Sequence, residues 1–209
     1  MNTSRRKLLV TSLAALGSAP CFAPLIAAAQ NRGSGIAELN PTQPTETKDK
    51  IEVLEFFWYG CIHCYNLEPK LEPWLKKKPA DVEFRRVPAV FNSRWEHDAA
   101  IYYTIDALGL LEKLHRPLFE AIHRDALNTA NGPALQAWVE KQGIDPKKFE
   151  ATFKSFGVQG KTKRSIRMTS DYRIDGTPAI AVHGRYVVTS SSDMLDSVDK
   201  LIALIRKNK

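Results

Sequence analysis

The sequence predicts an α/β protein in which a block of helices interrupts the α/β part. The run "IEVLEFFWYG" (51–60) is almost continuously apolar, as in a central strand buried on both faces. Residues 95–168 place apolar side chains at three- and four-residue steps, which indicates helices. "GTPAIAVHGRYVV" (176–188) predicts two short strands in a hairpin around His183-Gly184. The 209 residues are enough for one core with an insertion.

The first 29 residues predict a signal peptide that takes no part in the fold. Arg5, Arg6 and Lys7 precede an apolar stretch, and Ala27-Ala28-Ala29 fits the small-residue cleavage pattern. We expect cleavage near Ala29; the general secretory route is favoured, and the twin-arginine route is the open alternative, because Ser4-Arg5-Arg6 partly matches its signal. Export implies an oxidising compartment outside the cytoplasm, for which a bacterial envelope is the natural choice.

The charge of the chain gives no sign of a nucleic-acid partner. The formal net charge is +7, and three of the positive charges lie in the signal segment. The remaining basic residues are scattered and form no long run. This pattern predicts a solvated surface and no nucleic-acid binding.

The α/β elements follow one another along the chain. Residues 30–48 are rich in Gly, Pro, Thr and Asn, which predicts a flexible or extended arm. A helix is predicted to begin at the two cysteines that follow the first strand, because Leu67 and Leu71 recur at helical spacing. "VEFRRVPAVF" (82–91) predicts a second strand.

The helical block and the chain end carry their own signals. Asn131 with Pro133, and Asp145 with Pro146, are typical of helix starts. The final segment, "DMLDSVDKLIALIRKNK", predicts an amphipathic helix. With the helical block removed, the order of elements is βαβ followed by ββα.

The two cysteines of the mature chain, Cys61 and Cys64, are the main chemical signal. Cys21 is lost with the signal peptide. A disulfide that closes so short a loop adds little stability, so we expect the pair to serve chemistry rather than structure. At a helix start, unpaired N–H groups favour a thiolate, and His63 between the cysteines can add charge or a hydrogen bond. Stabilising the thiolate favours the reduced pair, which makes the disulfide a stronger oxidant.

A metal site is the alternative use of such a pair. Structural zinc takes four ligands, and Cys61 with Cys64 supplies only two. The other histidines show no ligand spacing relative to them; these are His97, His115, His123 and His183. We therefore predict no metal site.

The motifs "VLEFFWYGCIHCY" and "GTPAI", separated by a helical insertion, resemble the DsbA-type thiol:disulfide oxidoreductases of the bacterial periplasm. The resemblance runs from about residue 49 to the end. It implies a thioredoxin fold interrupted by an all-helical domain, a monomer, and no soluble cofactor, since the cysteine pair is the redox centre. The implied division is a thioredoxin-like domain of 49–91 and 169–209, with a helical insert of 92–168.

The resemblance also implies roles for single residues. Cys61 corresponds to the exposed nucleophilic cysteine and Cys64 to its buried partner. Thr177-Pro178 corresponds to a cis-proline loop beside the disulfide, where an extended substrate strand pairs. Glu55 corresponds to a buried acid that relays a proton to or from Cys64; its alternative is an exposed strand position.

Further residues around the motif are expected to contact substrate or to tune the pair. Ile62 stands where proline is common in the family, which affects the redox potential. Trp58 and Tyr59 are either substrate-facing or part of the core. Arg86 is either the partner of Glu55 or a surface residue.

The sequence therefore predicts a periplasmic dithiol oxidase that acts on reduced, unfolded exported proteins. The resemblance implies reoxidation by a DsbB-type, quinone-linked membrane partner. Two alternatives remain: a disulfide isomerase or reductase of the same fold, and a non-catalytic metal-binding protein of that fold.

Overall fold

A five-stranded mixed sheet with the order β1-β5-β4-β2-β3 forms the centre of the computed structural model, which describes residues 35–189 and 193–208. The predicted signal peptide lies outside the described residues. The strands are β1 Ile36–Glu38, β2 Ile51–Phe57, β3 Val82–Pro88, β4 Ala179–Val182 and β5 Tyr186–Thr189. The helices are α1 Ile62–Lys77, α2 Ser93–Ala107, α3 Leu111–His123, α4 Gly132–Lys141, α5 Pro146–Phe153, α6 Phe156–Asp171 and α7 Met194–Lys207.

Strand β2 is the central strand that its sequence predicts. All seven residues are buried, and β2 pairs in parallel with β3 and antiparallel with β4. The strand ends at Phe57, three residues before the predicted end, because the chain turns at Trp58 toward α1. The parallel register places Glu55 opposite Arg86.

The arm before β2 contributes to the sheet. Residues Ile36–Glu38 pair antiparallel with β5 at one sheet edge, so part of the predicted arm is a strand. Gly184, in the predicted hairpin turn, has φ +65°, and a Cβ there would lie 2.0 Å from the carbonyl oxygen of Gln43. Only glycine allows this approach between the hairpin and the arm.

Helices α2 to α6 lie between β3 and β4 in the chain, where the sequence predicts them. The side chains of Asn131 and Asp145 accept backbone N–H bonds at the starts of α4 and α5, which confirms both predicted caps. One apolar cluster joins side chains of α2, α3, α4 and α5 to Phe57, Tyr59 and Cys64. The helical block therefore packs directly on the segment that carries the cysteines. Within the described residues, no helix is both long enough and apolar enough to cross a bilayer.

Candidate active site

The cysteine pair lies where β2 leads into α1. Cys61 occupies the N-cap position of α1 in an extended conformation, and Cys64 lies in the first helical turn. Both are free thiols; Cys61 is half-buried and Cys64 is fully buried. A reagent from solvent can reach the sulfur of Cys61 and not that of Cys64.

The surroundings of Cys61 favour its thiolate. The pKa of Cys61 is lowered to about 5, chiefly by a hydrogen bond from the Cys64 thiol. The side chain of Thr177 and the backbone N–H groups of Cys64 and His63 lower it further, against the opposing effect of burial. The pKa of the Cys64 thiol is raised, first by burial and then by its hydrogen bond to Cys61. The pair therefore holds one thiolate and one thiol near neutral pH.

His63 acts on Cys61 through its backbone. Its imidazole is exposed, whereas its N–H group contributes to the low pKa of the Cys61 thiol. Ile62 is 48% exposed at the same helix start. Both side chains are thus available to a molecule that approaches Cys61.

The Thr177-Pro178 loop lies against the nucleophilic sulfur. The peptide bond between the two residues is cis. The Thr177 carbonyl oxygen lies 3.3 Å from Cys61 Sγ, and Pro178 is buried at the start of β4. The structure therefore brings this loop, 116 residues along the chain, to the cysteine pair.

Glu55 is a fully buried acid on β2. Burial raises its pKa to about 8; the charge of Arg86 lowers it and that of Glu68 raises it. Arg86 Nε lies 3.1 Å from Glu55 Oε2, so Arg86 is the partner of this acid and not a surface residue. The charge of Glu55 in turn raises the pKa of Cys64, after the larger effects of burial and of Cys61.

Trp58 forms part of an aromatic surface beside the cysteines. Its ring stacks on Trp95 with centroids 4.2 Å apart, and its indole N–H donates to buried Asp98 at 2.8 Å. A Cβ at Gly60 would lie 2.3 Å from the Trp58 ring, so the ring covers the residue before Cys61. Exposed Phe91 packs edge-on against Trp95.

Tyr59 does not belong to this surface. The assignment of Tyr59 to the substrate-binding residues is corrected, because only 2% of the residue is exposed. Its ring packs against Phe57 and Phe119 in the core that the helical block shares with the cysteine segment. Its alternative interpretation as a core residue is the right one.

The sequence patterns do not point to two buried residues that are functional candidates, Glu68 and His115. Glu68 is buried one helical turn after Cys64, and Arg86 donates to both of its oxygens at 3.1 and 3.0 Å. An acid four residues after a motif cysteine lies on the same helix face, which was a usable signal. His115 is buried on α3 and contacts Glu68 and Tyr59, and no local pattern marks it.

The described residues contain no group of three or more His, Cys, Asp or Glu side chains arranged to hold a metal ion.

Comparison with known proteins decides the family. The family profile described as "DSBA-like thioredoxin domain" matches residues 81–203. The chain is 40% identical over 201 residues to the thiol:disulfide interchange protein DsbA of Bordetella pertussis, covering 93% of this chain and 94% of the relative. The chain belongs to the DSBA-like thioredoxin domain family.

Other relatives agree with this assignment. DsbA of Burkholderia cepacia is 38% identical over 182 residues, covering 87% of this chain and 86% of that protein. The crystal structure of Pseudomonas aeruginosa DsbA superposes with a TM-score of 0.79 at 33% identity, covering 84% of this chain and 94% of that one. The oxidoreductase DsbA of Xylella fastidiosa gives 0.77 at 34% identity, over 82% and 95%. The predicted thioredoxin fold with a helical insertion is confirmed, and the chain is a thiol:disulfide oxidoreductase.

Proposed function

We propose that this DSBA-like protein is a dithiol oxidase that donates a Cys61–Cys64 disulfide to reduced exported proteins in the periplasm. The observation that carries the proposal is the contrast between the two sulfurs. Cys61 is accessible and stabilised as a thiolate, whereas Cys64 is buried and stabilised as a thiol. Both effects stabilise the reduced pair, so its disulfide tends to accept electrons.

The reaction begins at the accessible sulfur. A substrate thiolate attacks Cys61 Sγ, forming a mixed disulfide and breaking the bond to Cys64. The Cys64 sulfur leaves with the electron pair and needs a proton, because a buried thiolate is costly. Protonated Glu55, with a pKa of about 8, is able to supply this proton at neutral pH.

The second step releases the substrate. Its second thiolate attacks the substrate sulfur of the mixed disulfide, and Cys61 leaves as a thiolate that its low pKa stabilises. The substrate is oxidised by two electrons and the enzyme holds them as a dithiol. We propose that a DsbB-type, quinone-linked membrane protein reoxidises the enzyme, that no soluble cofactor takes part, and that the protein acts as a monomer.

The substrate surface is proposed from the groups around Cys61. An extended client segment would pair with the backbone before Pro178, where Thr177 lies against the Cys61 sulfur. Ile62 and the ring of Trp58 would contact client side chains near Cys61. His63 is expected to meet the client through its exposed imidazole.

The first test replaces each sulfur in the chain that begins at Gln30. Cys61→Ala should lower the oxidation rate of a reduced, unfolded protein at least about 1,000-fold, because no accessible sulfur remains. Full activity in this variant would overturn the proposal. Cys64→Ala should also lose turnover and should instead accumulate a mixed disulfide at Cys61 after reaction with an activated substrate disulfide.

The redox potential separates an oxidase from an isomerase or reductase. We expect equilibration with glutathione to give a value more oxidising than about −180 mV. A value near about −270 mV, as in thioredoxin, would favour the reductase alternative. Purification with bound metal and no dithiol turnover would favour the metal-binding alternative.

A further inference from the structure

A chain of five buried or half-buried polar residues connects Glu55 to the helical block. Arg86 lies 3.1 Å from Glu55 and bonds both oxygens of Glu68. Glu68 Oε1 lies 3.3 Å from Nε2 of His115, and Nδ1 of His115 lies 2.9 Å from the Tyr59 hydroxyl. We call these five residues the buried network; it joins β2, β3 and α1 to α3.

The hydrogen bonds of the buried network have a consistent set of donors and acceptors, and they converge on Glu68 from both sides. Burial raises the pKa of Glu68, but the hydrogen bond from His115 and the charge of Arg86 outweigh it, so the pKa is lowered and the group is a carboxylate. A carboxylate only accepts, so His115 donates through Nε2–H. Burial lowers the pKa of His115, and the neutral ring then accepts the Tyr59 O–H at Nδ1.

Glu55 and Glu68 compete for one guanidinium. Arg86 makes two hydrogen bonds to Glu68, whereas neither oxygen of Glu55 has a well-aligned partner among the described residues. The Glu68 carboxylate therefore draws the cation away from Glu55. Glu55, whose charge acts on Cys64, is left incompletely neutralised, which favours its protonated form.

We infer that His115 is a positioning residue of the redox centre, because its Nε2–H group holds Glu68 as the anion that occupies Arg86 and so keeps Glu55 protonated beside Cys64. His115 does not touch the reacting sulfurs and acts through Glu68. The inference rests on the proposed function for its role in turnover. His123, at the end of the same helix, supports the placement of α3, since its Nε2–H donates to the Tyr59 carbonyl at 2.8 Å.

Other ionisable groups also face the buried network. The groups around His115 are Tyr59 after β2, Glu68 and Glu72 on α1, Arg86 on β3 and Tyr102 on α2. Those coupled to Glu55 are Arg86 and Glu68, together with Cys64 and Tyr102, whose pKa values the charge of Glu55 raises. Glu68, Arg86 and Tyr102 are common to both sets; hydrogen bonds link Glu68 and Arg86 to His115, so a change at His115 reaches Glu55 through these two residues.

Two conservative variants separate the roles of the two ring nitrogens. His115→Gln keeps an N–H donor near the Nε2 position, toward Glu68. His115→Asn keeps a polar group near Nδ1, toward Tyr59, and loses the donor to Glu68. Carbon-13 NMR of the glutamate carboxyl groups, in the oxidised protein, follows the titration of Glu55, and Glu55→Gln assigns its signal.

We expect the Glu55 midpoint to fall by at least about one pH unit in His115→Asn, and to stay within about half a unit of wild type in His115→Gln. His97→Asn is the matched control, since His97 also bonds a helical-block residue, the Thr129 carbonyl, at 2.9 Å. It should leave the Glu55 midpoint unchanged. Equal midpoints in His115→Asn and wild type would overturn the inference, and so would equal shifts in His115→Asn and His115→Gln.

A kinetic measurement distinguishes this inference from the proposed function. In single-turnover oxidation of a reduced peptide, the upper limb of the pH profile should move to lower pH in His115→Asn by the shift seen in NMR. If the wild type oxidises no dithiol, the proposed function fails while the NMR comparison still decides the role of His115. If the wild type oxidises dithiols and the two His115 variants titrate alike, the inference alone fails.

Discussion

Two glutamates three residues apart on β2 are both buried, and their surroundings differ sharply. Glu52 is 1% exposed and Glu55 is 0% exposed. Because their separation is odd, they face opposite sides of the sheet. Glu52 accepts a hydrogen bond from Arg85 at 2.6 Å and another from the backbone N–H of Glu46 at 3.1 Å. Among the residues that the structure describes, Glu55 has only the poorly aligned contact with Arg86.

The difference shows that partners, more than depth, decide what a buried acid does. Arg85 also pairs with Glu46, so the arm before β2 closes an ion-pair cluster around Glu52. Burial raises the pKa of Glu55 to about 8, and Arg86, which Glu55 shares with Glu68, lowers it only in part. The same strand thus carries an acid bound by two donors on one face and an acid with a raised pKa on the other.

The largest expected effect is the pH dependence that Glu55 gives to stability. Its folded pKa, about 8, lies above the ordinary value of 4.5, so the folded state binds more protons than the unfolded state between these values. The stabilisation is complete below about pH 4.5 and is lost as the pH rises through about 8. We expect wild type to lose on the order of 3–5 kcal/mol relative to Glu55→Gln between pH 5 and pH 9.

Urea unfolding of the oxidised proteins at several pH values measures this difference. Oxidation removes the cysteine titrations from the comparison. A wild-type stability that runs parallel to that of Glu55→Gln across the range would show that Glu55 is not a buried neutral acid.

A smaller effect on the free energy of unfolding is expected for Glu52. Glu52→Gln removes the charge that Arg85 and the Glu46 N–H bind, and Arg85 is only about one third exposed. We expect a loss of about 2 kcal/mol in unfolding free energy at pH 7, because breaking one partner leaves the other unpaired. Circular dichroism during urea unfolding measures it, and an unchanged midpoint would contradict the interpretation of Glu52 as structural.

The sequence predicts that Glu55 is buried, but it does not predict the partners that distinguish Glu55 from Glu52. An acid inside an apolar strand is a local signal, and it correctly indicates that Glu55 is buried. The same signal marks Glu52, but the functional difference depends on Arg85 and Arg86, which lie on another strand. Their pairing depends on the β2–β3 register, which a sequence pattern does not contain.

Other differences between the sequence predictions and the structure also arise from contacts between segments that are distant in the chain. The composition of the arm predicts a flexible or extended segment, whereas Ile36–Glu38 of this arm pair with the edge of β5 as a strand. Tyr59 follows an active-site strand and looks available to substrate, but the helical block covers it. The division into domains at 49–91, 92–168 and 169–209 stays a prediction. The shared core around Phe57 and Cys64 suits a helical block that serves the redox centre directly.

The smallest expected effect concerns the accessible thiol. The pKa of Cys61, about 5 against an ordinary 9.0, is lowered mainly by the hydrogen bond from Cys64, and neither Glu55 nor Glu52 is among its causes. Absorbance of the thiolate near 240 nm should therefore titrate within about half a pH unit of wild type in Glu55→Gln and Glu52→Gln. In Cys64→Ala the midpoint should rise by more than about one unit, since the main donor is lost.

The sign of this titration links the thiol to stability. A depressed folded pKa means that the reduced protein gains stability as the pH rises above about 5, and loses it as the pH falls through that value. The raised pKa of Glu55 has the opposite effect on stability over an overlapping pH range. The stability of Glu55→Gln in its reduced and oxidised forms, compared as a function of pH, therefore isolates the contribution of Cys61. A Cys61 midpoint that moved with Glu55→Gln would mean that the acid acts on both sulfurs, and the assignment of Glu55 to Cys64 alone would be wrong. An unmoved midpoint would place the control of the accessible sulfur in the helix start and the Cys64 thiol, and not in the acid on β2.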